Sequence, residues 1–331
     1  MSNAPSGTSK TPYPSLPSTP YLAPLERYRE LLQGEWDAFC ESLHHPLPQC
    51  IWTNTARIDS AALTPWLERC GLLEHAQKLS WTDDAWKIPP ELDVSLGTLM
   101  PFLAGLYHIQ EEVSLIPGWM LSPAPGERVL DTCAAPGGKS AQLAIMMQNE
   151  GTVVANDRSH GRLRALRSII DRLGLLNVSM SHYNAANFPR DIGTFDRVLV
   201  DVPCSCEGTS RKNRRVLRSI EGFDYDNQSR LQKAILVRAL EQLRPGGLLA
   251  YSTCTYAPEE NERVVHAALE EVGRDHYALC DAPELDGFTT SAGLTSWQEE
   301  RYGEDLARCV RIWPHQNDTG GFFVALFTRN A

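Results

Sequence analysis

The stretch Val129-Leu-Asp-Thr-Cys-Ala-Ala-Pro-Gly-Gly-Lys-Ser140 constrains this chain most, because an apolar strand there runs into a glycine turn and then into a helix. Pro136, Gly137 and Gly138 hold a tight turn with little side-chain bulk, so a ligand can approach the backbone amides at the helix start. Lys139 adds one mobile positive charge. An ordinary strand-to-helix loop would also tolerate a Gly-Gly pair. A Walker phosphate loop is set aside, since Cys133 stands where its first glycine belongs, and the G-x-G-x-x-G dinucleotide fingerprint is missing. Asp157 follows about 20 residues after the turn, at the end of the apolar run Thr152–Asn156, the place of a ribose-binding acid in nucleotide sites. An adenosine-containing ligand fits this pattern best.

From Pro125-Gly126 onward, short apolar runs alternate with helical stretches. Strands are predicted at Val129–Thr132, Thr152–Asn156, Val178–His182, Phe195–Asp201 and Leu248–Thr253, and helices at Ser140–Met147, Gly161–Leu173, Ser229–Leu243 and Asn261–Glu271. Such alternation calls for a mostly parallel sheet with helices on both faces, and its ligands bind at the carboxyl ends of the strands. That rule gathers Asp131–Lys139, Asp157, Asp201–Cys206 and Cys254 on one rim. The terminal apolar run Gly320–Phe327 is expected at the sheet edge, and His315 before it either faces substrate or is structural.

At 331 residues the chain can hold one large or two ordinary domains. Residues 1–24, rich in Pro, Ser and Thr, are expected to be a disordered tail. Residues 25–104 read as a small α+β domain, and residues 105–331 as the large α/β domain. In the small domain an amphipathic helix is predicted over Leu25–His44, a strand at Gln49–Asn54 and a helix at Ala61–Cys70. Tyr107–Ser114 reads as helical, closed by Pro117-Gly118, at the joint.

No secretory signal or membrane span is evident, so a soluble protein in reducing cytoplasm is expected. Nine scattered cysteines argue against a disulfide framework. The nearest approach to zinc spacing is Cys204-x-Cys206, and no metal is expected.

Two strand ends carry thiols: Asp201-Val-Pro-Cys204-Ser-Cys206 and Ser252-Thr-Cys254-Thr. A cysteine in an apolar strand is usually buried and inert. Cys254, however, precedes a helix entrance marked by Pro258, Glu259 and Glu260, whose positive end would lower its thiol from the free value of about 8.5. Nucleophilic catalysis follows, with the chemistry alone leaving Cys204 and Cys254 both open as the attacking group.

Five motifs in order, Leu130–Ser140, Asp196–Cys204, Tyr251–Thr255, Pro258–Glu262 and Arg311–His315, resemble the NOL/NOP/SUN group of RNA (cytosine-5) methyltransferases. The resemblance implies a Rossmann-like methyltransferase sheet binding S-adenosyl-L-methionine. It places Cys133, Ala134, Pro136, Gly137 and Lys139 around the amino acid part of that cofactor and Asp157 at the ribose. Arg162 supports the pocket, Asn184 stands where the family usually has an adenine-contacting Asp, and Asp201 and Pro203 border the methyl group. It also implies that Cys254 attacks C6 of cytosine, since C5 is too poor a nucleophile until a thiolate has added to the ring. Cys204 then assists release, and Asp201 and Lys139 stabilise the adduct. Cys206 departs from the pattern, where glycine is common, and a third thiol there could bring sensitivity to oxidation.

A formal charge of −10 opposes indiscriminate nucleic-acid binding, so RNA contact is expected from local basic runs. Arg211, Lys212, Arg214 and Arg215 adjoin the reactive rim and are expected to hold phosphates. The partner expected is rRNA, with tRNA open, and the chain is expected to act as a monomer on an unpaired or flipped-out base. Two other readings are a catalytically silent RNA-binding or ribosome-assembly factor and an adenine or glutamine amino-methyltransferase. The second needs an aromatic residue where Cys204 stands.

Overall fold

The computed structural model describes residues 19–92 and 94–330. Most of the expected tail lies outside these residues, but its last six, 19–24, open a 3-10 helix over Thr19–Tyr28. The single amphipathic helix expected over Leu25–His44 is instead broken into this turn, α1 (Arg29–Leu32) and α2 (Trp36–Ser42), with Gln33 at φ +42° between them. Its apolar positions still face inward: Leu25, Leu32, Trp36, Phe39 and Leu43 are buried. They pack against the large domain's core, beside Tyr256 and Trp313, and not within the small domain.

A separate four-stranded antiparallel sheet of order β2-β3-β1-β4 is built from β1 (Gln49–Thr53), β2 (Gln77–Lys78), β3 (Ala85–Ile88) and β4 (Tyr107–Ile109), so it takes in a strand from the segment 105–331 expected to form the large domain. Helices α3 (Ser60–Arg69) and α4 (Met100–Leu103) complete it. Asp59 caps α3 by accepting a 2.7 Å bond from the Ala62 amide. The segment Tyr107–Ser114, expected to be helical, begins with β4, because pairing to β1 outweighs its local composition. Helix α5 starts at Glu112 and runs through Pro117-Gly118 to Leu121, so that pair does not end it. Gly118 lies on the face toward Gln142, where an added Cβ would come within 2.5 Å of the amide oxygen. Buried Asn54, just after β1, ties this sheet to the end of the helix at His160–Leu173 by donating to the Leu173 carbonyl, and it also donates to the Gly105 carbonyl.

The large sheet runs β11-β14-β15-β9-β8-β5-β6-β7, with β10 (Tyr277–Cys280) also paired to β15. Its parallel half is β5 (Arg128–Asp131), β6 (Thr152–Asn156), β7 (Val178–Ser181), β8 (Phe195–Asp201) and β9 (Leu243–Thr253). The antiparallel half is β11 (Ser291–Ala292), β14 (Val310–Ile312) and β15 (Phe322–Arg329), while β12 (Ser296–Trp297) and β13 (Glu300–Arg301) pair separately. The terminal strand β15 is not at the edge. It lies between β9 and the pair β10 and β14, which suits a segment buried on both faces from Phe322 to Phe327.

Helices α6 (Gly138–Met146), α7 (His160–Leu173), α8 (Val216–Ser219), α9 (Tyr225–Gln242) and α10 (Glu262–Val272) connect the strands. Ser159 caps α7, and Gly174 ends it in the left-handed region at φ +68°. One apolar layer holds α5, α6 and α7 with Trp52 and Trp81 of the small domain. The other holds α9, α10 and the amino-terminal segment. Strand order reverses around β5: β6 lies on one side and β8 on the other, which opens a crevice at the carboxyl ends. No helix of the described residues is long and apolar enough to cross a membrane.

Candidate active site

The glycine turn after β5 takes its shape from packing against α7. Gly137 has φ +121°, and a Cβ there would lie 2.6 Å from Leu166 Cδ1, so this position requires glycine and acts only through its backbone. Ser140 Oγ donates to Asp131 Oδ2 at 2.6 Å. Asp131 Oδ1 is buried without a hydrogen-bond partner, and burial pushes this carboxyl up to about 7. At the end of β6, Asp157 accepts from the Ala135 and Ser159 amides at 3.2 and 2.7 Å. Arg162 approaches Asp157 at 3.3 Å and donates to the Ala135 carbonyl, so it braces the turn from outside.

Two hollows meet at Cys133. One, of about 70 Å³, is lined by Cys133, Asp157, Arg162, Asn184 and Pro203. The other, of about 300 Å³, is lined by Cys133, Ala134, Pro136, Lys139, Asp201, Lys212 and Cys254. Both lie along the carboxyl ends of the parallel strands. Burial pushes the Cys133 thiol up to about 12, so it stays neutral there.

Parallel pairing of β8 with β9 sets Asp201 opposite Ser252, which brings the two thiol loops side by side. Asp201 accepts from Lys139 Nζ at 2.8 Å through Oδ2 and from Ser252 Oγ at 2.8 Å through Oδ1. Burial works against the Lys139 ammonium, but Asp201 beside it holds its pKa above the usual value. The Cys204 and Cys254 sulfurs are 3.4 Å apart, and Cys206 Sγ is 3.9 Å from Cys204 Sγ. All three sulfurs lie within 4.8 Å of one another.

The expected lowering of the Cys254 thiol by a helix end is overturned. Helix α10 begins only at Glu262, and the thiol's neighbours decide its ionisation. A bond with Cys204 favours the Cys254 thiolate but is outweighed by Cys206 and by burial, so its pKa is pushed up. Cys204 is pushed up by its contacts with Cys206 and Cys254, and the same contacts push Cys206 down.

Behind the thiols lies a buried network that the sequence reading missed. Glu260 accepts from the Ser205 amide at 3.0 Å, from Ser205 Oγ, and from Gln232 Nε2 at 2.9 Å. Gln232 also donates to the Pro203 carbonyl at 2.9 Å. Burial pushes Glu260 up to about 7. The only sequence signal was its place in Pro258–Glu262; Gln232 lies mid-helix with no signal at all.

Arg211 leaves the expected RNA-contacting set. Its guanidinium is buried and donates to the His45, Pro46 and Thr319 carbonyls and to Asp318. Lys212 and Arg215 are exposed, Lys212 on the thiol-bearing cleft, and Arg214 is half-buried. His315 is structural: its side chain is buried and meets Glu35 at 2.6 Å. Arg311 is structural too, in a buried two-pronged pair with Glu262.

The family described as 16S rRNA methyltransferase RsmB/F matches residues 118–328. A tRNA (cytosine(49)-C(5))-methyltransferase of Pyrococcus abyssi is 36% identical over 301 residues, 91% of this chain and 94% of that protein. Ribosomal RNA small subunit methyltransferase F of Aeromonas salmonicida is 35% identical over 87% of this chain, which spans 59% of that longer protein. The crystal structure of a methyltransferase homolog protein from Pyrococcus horikoshii superposes with a TM-score of 0.80 at 31% identity, covering 95% of this chain and all of that one. With the sheet order, the glycine turn and the paired thiols, these matches show that the chain belongs to the RsmB/F family, in the NOL/NOP/SUN group of S-adenosylmethionine-dependent RNA (cytosine-5) methyltransferases.

Proposed function

We propose that this chain methylates C5 of a cytosine in RNA, with Cys254 as the nucleophile. The observation that carries the reading is the 3.4 Å separation of the Cys204 and Cys254 sulfurs beside the Lys139–Asp201 pair, on the rim that begins at the glycine turn.

The residues fit S-adenosylmethionine. Buried Asp131 Oδ1 lacks a partner, and the two hollows on either side of Cys133 are lined by Asp157 and Asn184 on one side and by Ala134, Pro136 and Lys139 on the other. When bound, S-adenosylmethionine supplies an electrophilic methyl group. The backbone of Cys133, Ala134, Pro136 and Gly137 would hold its amino acid part. The Asp157 carboxylate, whose oxygens keep further acceptor sites, would hold the ribose, and Asn184 the adenine. Arg162 fixes the position of Asp157.

On the cytosine side, Cys254 Sγ gives up its proton to solvent in the cleft and bonds to C6, and the C5–C6 double-bond electrons move toward C5 and N3. Asp201 hydrogen-bonds the N3/N4 edge, and the Lys139 ammonium next to it offsets the charge that builds on the ring. Once C5 is methylated, its proton passes to solvent, the C5–C6 double bond reforms and the Cys254 sulfur leaves C6 with its bonding pair; Cys204 at 3.4 Å assists that elimination. Cys206 has no part in this scheme.

Lys212 and Arg215 with Arg214 would position the phosphates. Transfer RNA is supported by the Pyrococcus abyssi relative, matched along 94% of its length, and ribosomal RNA by the matched family and the Aeromonas salmonicida relative. The chain is proposed to work as a monomer in the reducing cytoplasm, in keeping with nine free cysteines. The test is methylation of purified tRNA and rRNA, read by bisulfite sequencing, in which only 5-methylcytosine resists conversion. C254A is expected to lose at least about four orders of magnitude in turnover, as removal of a nucleophile does. C204A is expected to accumulate a denaturation-resistant RNA adduct. Full activity in C254A would overturn the assignment.

A further inference from the structure

The Cys206 thiol is left over by this chemistry, yet its position is specific. Its backbone sits at φ +62°, in the left-handed region that favours glycine, and its sulfur points back toward the thiol pair. The geometry points to a second use of this place: Cys204, Cys206 and Cys254 form a three-thiolate site for a thiophilic cation of the zinc class, whose occupancy shuts the cytosine pocket.

Zinc–sulfur bonds of about 2.3 Å set sulfurs about 3.8 Å apart in a tetrahedral site. Here the separations are 3.4 and 3.9 Å, and all three sulfurs lie within 4.8 Å of one another, so small side-chain rotations suffice. Thiolate-only donors select soft ions over magnesium or calcium. All three residues are half-buried, and Cys254 also borders the open cleft, which gives an ion a route in. Among the described residues, this is the one cluster of three groups able to share an ion. Each thiol that ligates releases one proton to solvent. An ion held there occupies the sulfur that must reach the pyrimidine, so metal and RNA base exclude each other. That inhibition rests on Cys254 being the nucleophile; the binding itself does not.

The experiment titrates the reduced full-length protein with Cd²⁺ and follows the ultraviolet thiolate-to-cadmium charge-transfer band. One equivalent is expected to saturate it, Zn²⁺ to displace it and Mg²⁺ to leave it unchanged, with methyl transfer lost in step with the band. C206G, which suits the left-handed backbone, is expected to keep methyl transfer and to bind Cd²⁺ at least tenfold more weakly. Equal Cd²⁺ affinity in C206G and the unaltered protein, or no band at one equivalent, would overturn the site. Because the band is read without RNA or S-adenosylmethionine, it decides the metal site whether or not the chain methylates RNA.

Discussion

Ser205 Oγ lies 2.7 Å from Thr255 Oγ1, and each belongs to the residue immediately after one of the paired cysteines, Cys204 and Cys254. This contact, backed by Glu260, joins the two thiol loops across the ends of β8 and β9. Hydroxyl, carboxyl and amide hold sulfurs that come from segments 50 residues apart.

Glu260 makes this junction pH-dependent. Its carboxyl is raised from 4.5 to about 7 by burial, so the folded state binds a proton more tightly than the unfolded chain. The associated stability is fully present below pH 4.5 and is lost as pH rises through about 7, for a total of about 3 kcal/mol. Glu260→Gln, which resembles the protonated acid, is expected to remove this loss. Urea unfolding at pH 5 and pH 8 checks it: the gap between variant and parent should move in favour of the variant at the higher pH.

Gly137→Ala puts a Cβ on a backbone at φ +121° and within 2.6 Å of Leu166. Backbone strain alone costs about 1–3 kcal/mol. The turn must also shift, and losing one ligand hydrogen bond corresponds to roughly tenfold in affinity for S-adenosylmethionine. Calorimetric titration with the cofactor, alongside thermal melting, measures both; unchanged cofactor affinity would contradict the turn's assignment.

Arg311 and Glu262 are both buried and share bonds of 2.7 and 2.5 Å. Removing one partner strands a charge, so Arg311→Met is expected to cost about 3–5 kcal/mol. The double change with Glu262→Met should recover most of that loss. Denaturant midpoints of the two variants decide the point, and a double variant no more stable than the single one would count against it.

Arg211 and Lys212 are neighbours with opposite duties. Arg211→Met leaves the His45, Pro46 and Thr319 carbonyls without their donor and is expected to cost roughly 3 kcal/mol of stability. Lys212→Ala is expected to leave stability unchanged while weakening RNA binding and lowering its log-salt slope by about 1. Filter binding across a salt series separates the two.

The strand-turn-helix at Val129–Ser140, the strand that ends just before Asp157 and the alternation of strands and helices after Pro125-Gly126 were legible in the chain, because turn chemistry and hydrophobic period act over a few residues. Strands β6 and β8 coincide with the segments predicted from pattern alone. Residue types also marked both thiol loops. Tertiary structure alone decided what those residues do to one another. Sheet pairing brought Cys254 to the Cys204 and Cys206 loop and shifted the ionisation of all three, and it placed β15 inside the sheet. Packing turned Arg211 and His315 from prospective substrate contacts into internal struts and drew Gln232 and Glu260 behind the reactive loops. Burial, pKa and hydrogen-bond partnership depend on which distant segments share a surface, and no local period carries that information.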